Sequence, residues 1–323
     1  MENQSRNSRW VRHPVLDDQH QPQIARIGQR DVEILTLLAR YRYLPADYIH
    51  AFLGGGLTPL LRRLNLLFRQ PNLYINRPQQ QRQNASANFR SLIYELDERG
   101  IEVLAHQGVQ TQRRKYRQNF VHELMVCQIM ASIELGALYE QNLRLISWQE
   151  ILASEKTPLN TRSSPNPAAI PVSFPLRGGH CDTVIVADGH PFGIERTVDG
   201  QRTYLFFPGI EADCGTEPVE SNDAERSSIY KKFAAYRAIA AQEIYRSHFG
   251  FPNFLVPIIT TSQTRMRAMM KLLERMTEGR GSKMFLFKHF PALTSTENPP
   301  TASGHMLTAP WDRVGFDPIK LTG

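Results

Sequence analysis

Residues 204–218, YLFFPGIEADCGTEP, constrain the fold more than any other segment of the chain. The segment runs from an apolar, strand-like stretch into three carboxylates, Glu211, Asp213 and Glu217, and then into a turn. Alternate residues of a strand share a face, so Glu211 and Asp213 are predicted to project together beyond a buried strand. Two carboxylates held that close repel each other unless a cation or a shared proton relieves them. The pattern indicates metal or acid–base chemistry; a solvated loop after a strand is the plainer alternative.

A second acidic strand is predicted upstream of this segment. Residues 180–187, HCDTVIVA, form an apolar run of the kind expected for a central strand, and Asp182 stands near its start. Magnesium binds in proteins through one or two carboxylates, several waters and substrate phosphate oxygens. Asp182, Glu211 and Asp213 are therefore predicted to hold Mg²⁺ or Mn²⁺ where the two strands meet.

Composition sets broad limits on the protein. With 323 residues, 41% of them hydrophobic, the chain is long enough for two domains with cores of their own. No run reaches the roughly 20 apolar residues of a membrane span, and the first residues lack the apolar core of a signal peptide. We therefore expect a cytoplasmic protein with no membrane partner. Its three cysteines stand apart, which argues against a zinc finger or a disulfide framework.

Positive charge is concentrated in the first third of the chain. Residues 1–118 carry 18 Lys and Arg against 10 Asp and Glu, a net charge of +8, whereas residues 119–323 carry 20 against 21. A basic segment beside a nearly neutral one is typical of a polyanion-binding module joined to another domain. A basic face that only keeps the protein soluble is the alternative.

Changes in composition divide the chain into four parts. Residues 1–27 are polar and basic without apolar periodicity, and a flexible arm is expected there. Residues 28–118 form the basic domain, which ends in the basic stretch 113–117, and residues 119–290 form the second domain. Residues 291–323 are rich in Thr, Ser, Pro and Gly, so we expect an irregular C-terminal tail.

Three helices are predicted at the start of the basic domain. Apolar residues recur at helical spacing up to Tyr41, and a second helix runs from Pro45 to the glycines at 54–56. Thr58 is predicted to cap a third helix, with Pro59 at its first position. Leucines fill one face of the third helix. Two strand-like segments with a long polar loop between them, and a closing helix, come next. The polar residues that this arrangement turns outward are Arg62, Arg63, Asn65 and Arg69 on the third helix, Arg77 on the first strand and Arg82 in the loop.

This order of elements resembles a winged helix-turn-helix domain over about residues 28–108. In that family the third helix enters the DNA major groove and the loop, or wing, touches the backbone or the minor groove. The resemblance implies double-stranded DNA as the partner of the six polar residues just named. Winged helices also serve as protein-interaction modules, and this alternative stays open.

Helical and strand patterns alternate along the second domain. They predict a helix over 120–138, a strand over 144–151, a loop over about 154–175, strands at Asp182 and Tyr204, a helix over about 225–247, a strand over 253–260, a helix over 264–277 and a strand over 283–288.

The second domain resembles the PD-(D/E)XK nuclease superfamily. The resemblance rests on the order helix, three strands, helix, strand, with Asp182 as the first acid and Glu211 as the second; Cys181 stands where the family usually has Pro. It implies an α/β domain with a mixed central sheet and a Mg²⁺ or Mn²⁺ site. The usual lysine two residues after the second acid is absent, because Asp213 stands there. Lys232 on the following helix is the candidate replacement, and Tyr236 shares its side of that helix.

The combined layout resembles the replication-relaxation family of plasmids and mobile elements. The segments GIEADCGTEP, KKFAAYRA and YELDERG carry this resemblance, over roughly residues 28–290. It implies DNA processing during replication or mobilisation. A relaxase, a replication initiator or another mobile-element protein is the implied protein partner, and a homodimer is one of the assemblies that the sequence leaves open.

Two functions compete on this reading. The first is a Mg²⁺-dependent endonuclease or nickase, in which Asp182 and Glu211 bind the metal and Asp213 is a third ligand or a base. Lys232 would then orient the water or polarise the phosphate, with Glu217 supporting the ligands or capping the next helix. The alternative is a non-catalytic DNA-binding accessory or transcription factor with a degenerate nuclease fold. The missing lysine favours the second function, and the retained carboxylates favour the first.

Overall fold

A computed structural model describes residues 10–82, 91–109, 111, 119–176, 179–221, 227–294 and 299–322. The chain folds into two compact units that both combine helices and strands. Met1–Ala131 and Thr294–Ser303 belong to the first, which we call the N-terminal unit. Ser132–Leu293 and Gly304–Gly323 belong to the second, the C-terminal unit. The protein is therefore of the mixed α/β class.

The N-terminal unit contains the predicted helices and strands in the predicted order. The third helix, however, begins at Leu57 after an N-cap at Gly56, so the predicted Thr58 cap was wrong. Its sheet is antiparallel, with strand order β1-β3-β2. Apolar side chains at helical spacing on α1 and α3 face the core, including Ile34, Leu38, Leu64 and Leu67. The elements are α1 (Gln29–Tyr41), β1 (Leu44–Pro45), α2 (Ala46–Leu53), α3 (Leu57–Phe68), β2 (Ile75–Asn76), β3 (Ile93–Leu96) and α4 (Glu98–His106).

An ion pair fastens α3 to the start of α1. Arg63 donates from Nε to Asp31 Oδ1 over 2.7 Å and from Nη2 to Asp31 Oδ2 over 2.6 Å, and Nη2 also donates to the carbonyl of Arg26. Only 6% of the Asp31 side chain is exposed. A buried carboxylate needs such a partner because burial removes its hydration. Arg63, predicted to face outward, therefore points into the unit.

Part of the expected N-terminal arm is packed against this unit. Arg12 donates to the carbonyl of Ile75 and to Asp97, and its guanidinium lies 5.0 Å from the centre of the Phe68 ring. Residues 10–27 are therefore not a free arm, because their polar groups find partners on the folded unit. Residues 1–9 lie outside the described residues.

The C-terminal unit is built on a mixed five-stranded sheet. Its strand order is β13-β12-β11-β10-β9; β9, β10 and β11 run parallel, and β12 and β13 run antiparallel to their neighbours. A three-stranded sheet (β4-β7-β8) and a two-stranded ribbon (β5-β6) complete the unit. The helices are α5 (Phe120–Tyr139), which begins in the N-terminal unit, α6 (Trp148–Ala153), α7 (Leu159–Arg162), α8 (Ile229–Ala241), α9 (Ile244–Phe249), α10 (Gln263–Met276) and α11 (His305–Thr308). The strands are β4 (Leu143–Ile146), β5 (Ile170–Leu176), β6 (Gly179–Ile185), β7 (Phe192–Val198), β8 (Gln201–Phe207), β9 (Glu211–Asp213), β10 (Val256–Thr260), β11 (Ser282–His289), β12 (Trp311–Val314) and β13 (Phe316–Ile319).

Helices connect the parallel strands, as parallel pairing requires. The chain passes through α8 and α9 between β9 and β10, and through α10 between β10 and β11. Helix α8 is fixed on the sheet by aromatic packing: Phe233 and Tyr236 have ring centroids 4.8 and 6.3 Å from that of Phe285. Burial of each such ring stabilises the unit by about 1.5–3 kcal/mol. This packing determines which side chains of α8 reach the end of β9.

Helix α5 is long and apolar enough, by length and composition alone, to cross a membrane. Most of it is buried inside the protein, however. A core helix of a folded domain gives the same apolar signal, so this helix does not indicate a membrane.

The C-terminal segment is ordered over residues 299–322, contrary to the expected irregular tail. Strand β12 pairs with β11, Trp311 is fully buried, and its Nε1 donates to the carbonyl of Met306. Lys288 of β11 donates to the carbonyl of Ala309 over 3.0 Å, and its Nζ lies 4.8 Å from the centre of the Trp311 ring. Strand β12 gains stability from pairing with β11, and β13 from pairing with β12. The local composition does not reveal these pairings.

Three predicted boundaries in the C-terminal unit were wrong for local reasons. The long helix expected at 225–247 is interrupted between α8 and α9, where Glu243 has φ +53. The strand expected at 144–151 ends at Ile146, because Ser147 and Glu150 form a capping box that starts α6. The loop expected at 154–175 contains α7 and the first residues of β5.

We predict that Arg63→Ala lowers the free energy of unfolding by about 1–3 kcal/mol, because it leaves the buried Asp31 carboxylate without its cation. Urea unfolding of both proteins measures the difference. Arg62→Ala, one residue away on the exposed side of α3, is the matched control and should leave the unfolding midpoint unchanged. Equal effects of the two substitutions would contradict the structural role of Arg63.

Candidate functional site

The acidic end of β9 lies beside the central sheet of the C-terminal unit. Glu211 is in register with Ile258 of β10, and Asp213 is in register with Thr260. Both acids are largely buried, with 12% and 7% of their side chains exposed. The sequence predicted that these two carboxylates project together. In the structure both lie on β9, two residues apart, and alternate residues of a strand share a face. Each needs a compensating partner because burial removes its hydration.

Helix α8 supplies both partners of Glu211. Lys232 Nζ lies 3.0 Å from Oε2, and the Tyr236 hydroxyl donates to Oε1 over 2.5 Å. The two side chains are four residues apart on the helix and therefore share its side, as predicted. Ser228 caps the helix by accepting from the backbone N–H of Lys231, which fixes the start of the helix beside the acids.

Lys232 also bridges to a second carboxylate. Its Nζ lies 3.1 Å from Glu217 Oε2, and the other oxygen of Glu217 accepts from the hydroxyl of Ser227. The Lys232 ammonium therefore lies between the side chains of Glu211 and Glu217. An ammonium in that position compensates charge that would otherwise make the two carboxylates repel each other.

Burial and charge shift the proton affinities of this cluster. Burial raises the pKa of Glu211, although the neighbouring Lys232 opposes the shift. Burial lowers the pKa of Lys232, but the charges of Glu211 and Glu217 outweigh it and the net shift is upward. The pKa of Tyr236 is raised, first by burial and then by Glu211. At neutral pH the lysine is therefore an ammonium and the tyrosine a phenol that donates to Glu211.

Asp213 is held by an arginine that sequence reasoning did not identify. Arg265 of α10 donates to both oxygens of Asp213, over 2.7 Å for Nη2 to Oδ1, and also donates to the carbonyl of Glu217. Asp213 Oδ1 accepts from the backbone N–H of Gly215 as well. Arg265 therefore clamps the loop that follows β9. The sequence signal was available: Ser262 caps α10, and Arg265 lies in its first turn, where a basic residue is unfavourable unless an acid lies nearby.

Asp182 does not join this cluster. It lies exposed on β6, opposite Ser173 of β5, and β6 pairs only with β5 among the described strands. The charged groups that shift the pKa of Glu211 are Lys232 and Asp188. The prediction that Asp182 and Glu211 lie on neighbouring strands was therefore wrong: β6 belongs to the two-stranded ribbon and not to the sheet that contains β9.

Asp188 is the upstream acid that the structure brings to Glu211. Its backbone exchanges hydrogen bonds with Ile210, just before β9, and its Oδ2 accepts from the backbone N–H of Ala212 over 3.0 Å. Its charge also contributes to the raised pKa of Glu211. The chain can approach this closely because Gly209 has φ +140, and a Cβ there would lie 2.6 Å from the carbonyl of Asp188. Asp188 directly follows the apolar run that begins after Asp182. The run therefore led to the correct part of the chain, but the prediction took the acid at its start, Asp182, instead of the acid at its end, Asp188.

The described residues do not fit the predicted magnesium site in this arrangement. Both oxygens of Glu211 are bonded to Lys232 and Tyr236, and both oxygens of Asp213 are bonded to Arg265. Within the described ranges no group of three or more His, Cys, Asp or Glu side chains is arranged to hold a metal ion. A hard cation needs several free oxygen ligands, and these carboxylates already accept from nitrogen and hydroxyl donors. We therefore derive no metal-dependent step from this geometry.

The second candidate surface is the exposed side of α3 in the N-terminal unit. Arg62 is exposed there, and the described part of the chain offers its side chain no hydrogen bond or ion pair. Asn65 accepts from Arg69 over 3.0 Å and from Arg77 over 3.2 Å, so these residues are engaged within the unit. Arg77 is also buried, with its guanidinium 4.0 Å from the centre of the Phe68 ring. Of the predicted DNA contacts on α3, only Arg62 faces solvent fully.

Two further arginines flank the N-terminal half of α3. Arg30 of α1 donates to the carbonyl of Gly54 in the turn before α3, and Arg26 is exposed beside Arg63, which binds its carbonyl. The turn is made by Gly54 and Gly55, both at positive φ, and a Cβ at Gly55 would lie 3.1 Å from the Arg30 guanidinium. Arg26 and Arg30 therefore add positive charge around the helix end that carries Arg62. The side chain of Arg82 and the basic stretch at 113–117 lie outside the described residues.

These two units define a mixed α/β protein with a basic helical surface in one unit and a charge-compensated carboxylate cluster in the other. The family described as replication-relaxation matches residues 35–253, which is 219 of the 323 residues. The chain belongs to the replication-relaxation family, as its motifs predicted. Comparisons with curated proteins and with solved structures gave no match.

We predict that Lys232→Met makes stability decrease as the pH rises. Without the ammonium, the pKa of the buried Glu211 rises further above its usual value of 4.5. A carboxyl group whose pKa is raised in the folded state contributes stability below its unfolded pKa and loses that contribution as the pH rises through the folded pKa. The stability deficit of the variant should therefore grow from about pH 4.5 toward neutral pH.

Urea unfolding over a pH series measures this deficit. Lys271→Met removes an exposed lysine of α10 and is the matched control, since among the described residues Lys271 makes no hydrogen bond or ion pair with the cluster. A deficit that is the same at every pH, or that Lys271→Met reproduces, would contradict the compensating role of Lys232.

Proposed function

We propose that this protein binds double-stranded DNA and acts in the replication or mobilisation of a plasmid or mobile element. In this proposal the N-terminal unit is a winged helix-turn-helix and the C-terminal unit has a nuclease-type fold. Membership in the replication-relaxation family supports the biological role. A relaxase or replication initiator as protein partner is part of the proposal and follows from that membership alone.

The observation that carries the proposal is the exposed Arg62 on α3. Its side chain has no partner among the described residues, and Arg26 and Arg30 lie around the same end of the helix. An arginine held outward on a folded helix, with further positive charge beside it, is suited to phosphate or base contacts. The order of three helices, then β2 and β3 with β1 pairing to β3, supports the winged-helix assignment.

The charge-compensated cluster supports a non-catalytic role for the C-terminal unit. Lys232 and Tyr236 occupy the oxygens of Glu211, and Arg265 occupies those of Asp213, so these groups stabilise the end of the sheet. We therefore propose that this unit supports assembly on DNA without cleaving it.

Metal-dependent phosphodiester hydrolysis is the second candidate, and the closeness of Asp188 to Glu211 favours it. Asp188 near Glu211, and Lys232 bonded to Glu211, supply the residue types of a nuclease site. For this function, DNA binding would have to release Glu211 from Lys232 and Tyr236. The two candidates make opposite predictions for plasmid cleavage.

We predict that Arg62→Ala weakens binding to duplex DNA by about 1–3 kcal/mol and lowers the slope of log K against log salt concentration by about 1. The physical reason is the loss of one arginine contact to the DNA. Fluorescence anisotropy with a labelled duplex, measured over a salt series, gives both quantities. Arg162→Ala removes an exposed arginine of the C-terminal unit and is the matched control. DNA affinity that is the same for wild type and Arg62→Ala would contradict the assignment of α3 as the DNA-contacting helix.

We predict that the purified protein leaves supercoiled plasmid intact in Mg²⁺ or Mn²⁺ while it still binds that plasmid. The reason is that the Glu211 and Asp213 oxygens are already bonded to protein donors. Agarose gels with and without each metal, beside a mobility-shift assay, give the result. Cleavage that depends on metal and is lost in both Glu211→Gln and Asp188→Asn would establish the nuclease function instead.

A further inference from the structure

The two edges of the β5–β6 ribbon differ in their ability to accept another strand. On β5, Pro171 and Pro175 have no backbone N–H to donate. The carbonyl of Ser173, between them, accepts from the side chain of Gln242 over 2.8 Å. Residues 171, 173 and 175 alternate along the strand and so direct their backbone groups to the same side. The outer edge of β5 is therefore closed by two prolines and one glutamine.

The same alternation determines which residues of β6 face outward. The backbone groups of residues 171, 173 and 175 point away from β6. The hydrogen bonds between the two strands therefore come from residues 170, 172 and 174, which are in register with Ile185, Thr183 and Cys181. The backbone N–H and C=O groups of His180, Asp182 and Val184 then point away from β5. Among the described residues no hydrogen bond reaches these groups.

Strand β6 also lacks the usual devices that protect an edge. Exposed edges are normally blunted by lysine, proline or a bulge, and residues 179–186 contain no lysine and no proline. The register with β5 is continuous. Val184 and Val186 are 56% and 48% exposed, so apolar surface accompanies the open edge. An open, regular and partly apolar edge is a template for strand addition.

We propose that β6 pairs antiparallel with β6 of a second copy of this chain and so forms a symmetric dimer. In a two-fold arrangement each copy offers the same edge, so the edge must be complementary to itself. Only residues with outward backbone groups can form the hydrogen-bonded pairs, which limits the registers to those that match His180, Asp182 and Val184 with one another.

Charge selects one of these registers. When His180 faces Asp182 of the second copy, the two-fold axis generates two such pairs with complementary polarity on the exposed face of the ribbon. The neighbouring register would place Asp182 opposite Asp182 of the second copy, and like charges directly opposite each other are destabilising. A further shift would leave Asp182 opposite Val184. The favoured register centres the dimer on Cys181.

This register provides a chemical reporter. Cys181 would face Cys181 of the second copy at a pair without backbone hydrogen bonds, where the Cα atoms are about 4.5 Å apart. That separation lies within the range that a disulfide can span, about 4.4–6.8 Å. With copper–phenanthroline as the oxidant, which takes up the two electrons that the two thiols lose with their protons, the dimer should become cross-linked.

The test is the oligomeric state of the full chain by sedimentation equilibrium over a range of protein concentrations. Wild type should form a dimer. Val184→Lys, which places a charge on the outer edge and leaves the backbone pairing with β5 intact, should raise the dimer dissociation constant at least about tenfold. Val184→Thr keeps a β-branched side chain and is the matched control. Circular dichroism of each variant shows that the fold is retained.

Charge exchange tests the register. Asp182→Lys should weaken the dimer, and adding His180→Glu to it should restore most of the affinity, because the pair is then re-formed with opposite polarity. Oxidation should cross-link wild type, and Cys181→Ser should abolish the cross-link. A wild type that stays monomeric at every concentration, or a dimer whose dissociation constant Val184→Lys leaves unchanged, would overturn the proposal. A dimer without the Cys181 cross-link, or without charge rescue, would overturn this register.

Discussion

Compensation of buried carboxylates is the constraint on which the C-terminal unit depends. Strand β9 brings Glu211 and Asp213 to the end of a sheet where water is largely excluded, and each carboxylate must find a donor there. Lys232 and Tyr236 serve Glu211, and Arg265 serves Asp213. These contacts join β9 to α8 and α10. The same contacts bear on the chemistry, because the oxygens of Glu211 and Asp213 already accept from an ammonium, a hydroxyl and a guanidinium.

In the N-terminal unit, too, polar side chains pair with arginines, and this pairing determines which positive charges stay exposed. Asp31 draws Arg63 inward, and Asn65 engages Arg69 and Arg77. The positive charge that the sequence assigns to this region is therefore divided between internal partners and solvent. Arg62 remains on the outer side of α3, which concentrates the proposed DNA contact on one helix face.

Local patterns predicted much of the fold. The periodicity of α1, α3 and α10 appears directly in the sequence, as does the capped start of α4 at Asp97. Elements that depend on distant partners were missed or misassigned. Strand β12 needs β11, and the loop expected before residue 176 becomes β5 because it pairs with β6. Likewise Asp182 and Asp188 flank one apolar run, and only the pairing of Asp188 with Ile210 distinguishes them.

The sequence by itself determined the acids after β9, the Lys232–Tyr236 spacing on α8, the basic first third of the chain and the family. These are local or compositional properties, so side-chain periodicity, composition and short motifs are enough to predict them. Only the tertiary structure decided that Asp188 rather than Asp182 lies near Glu211, that Arg265 binds Asp213, and that Arg63 turns inward while Arg62 does not. The physical reason is that each of these outcomes is a competition among charged groups far apart in the chain, and burial in the folded units determines which of them pair.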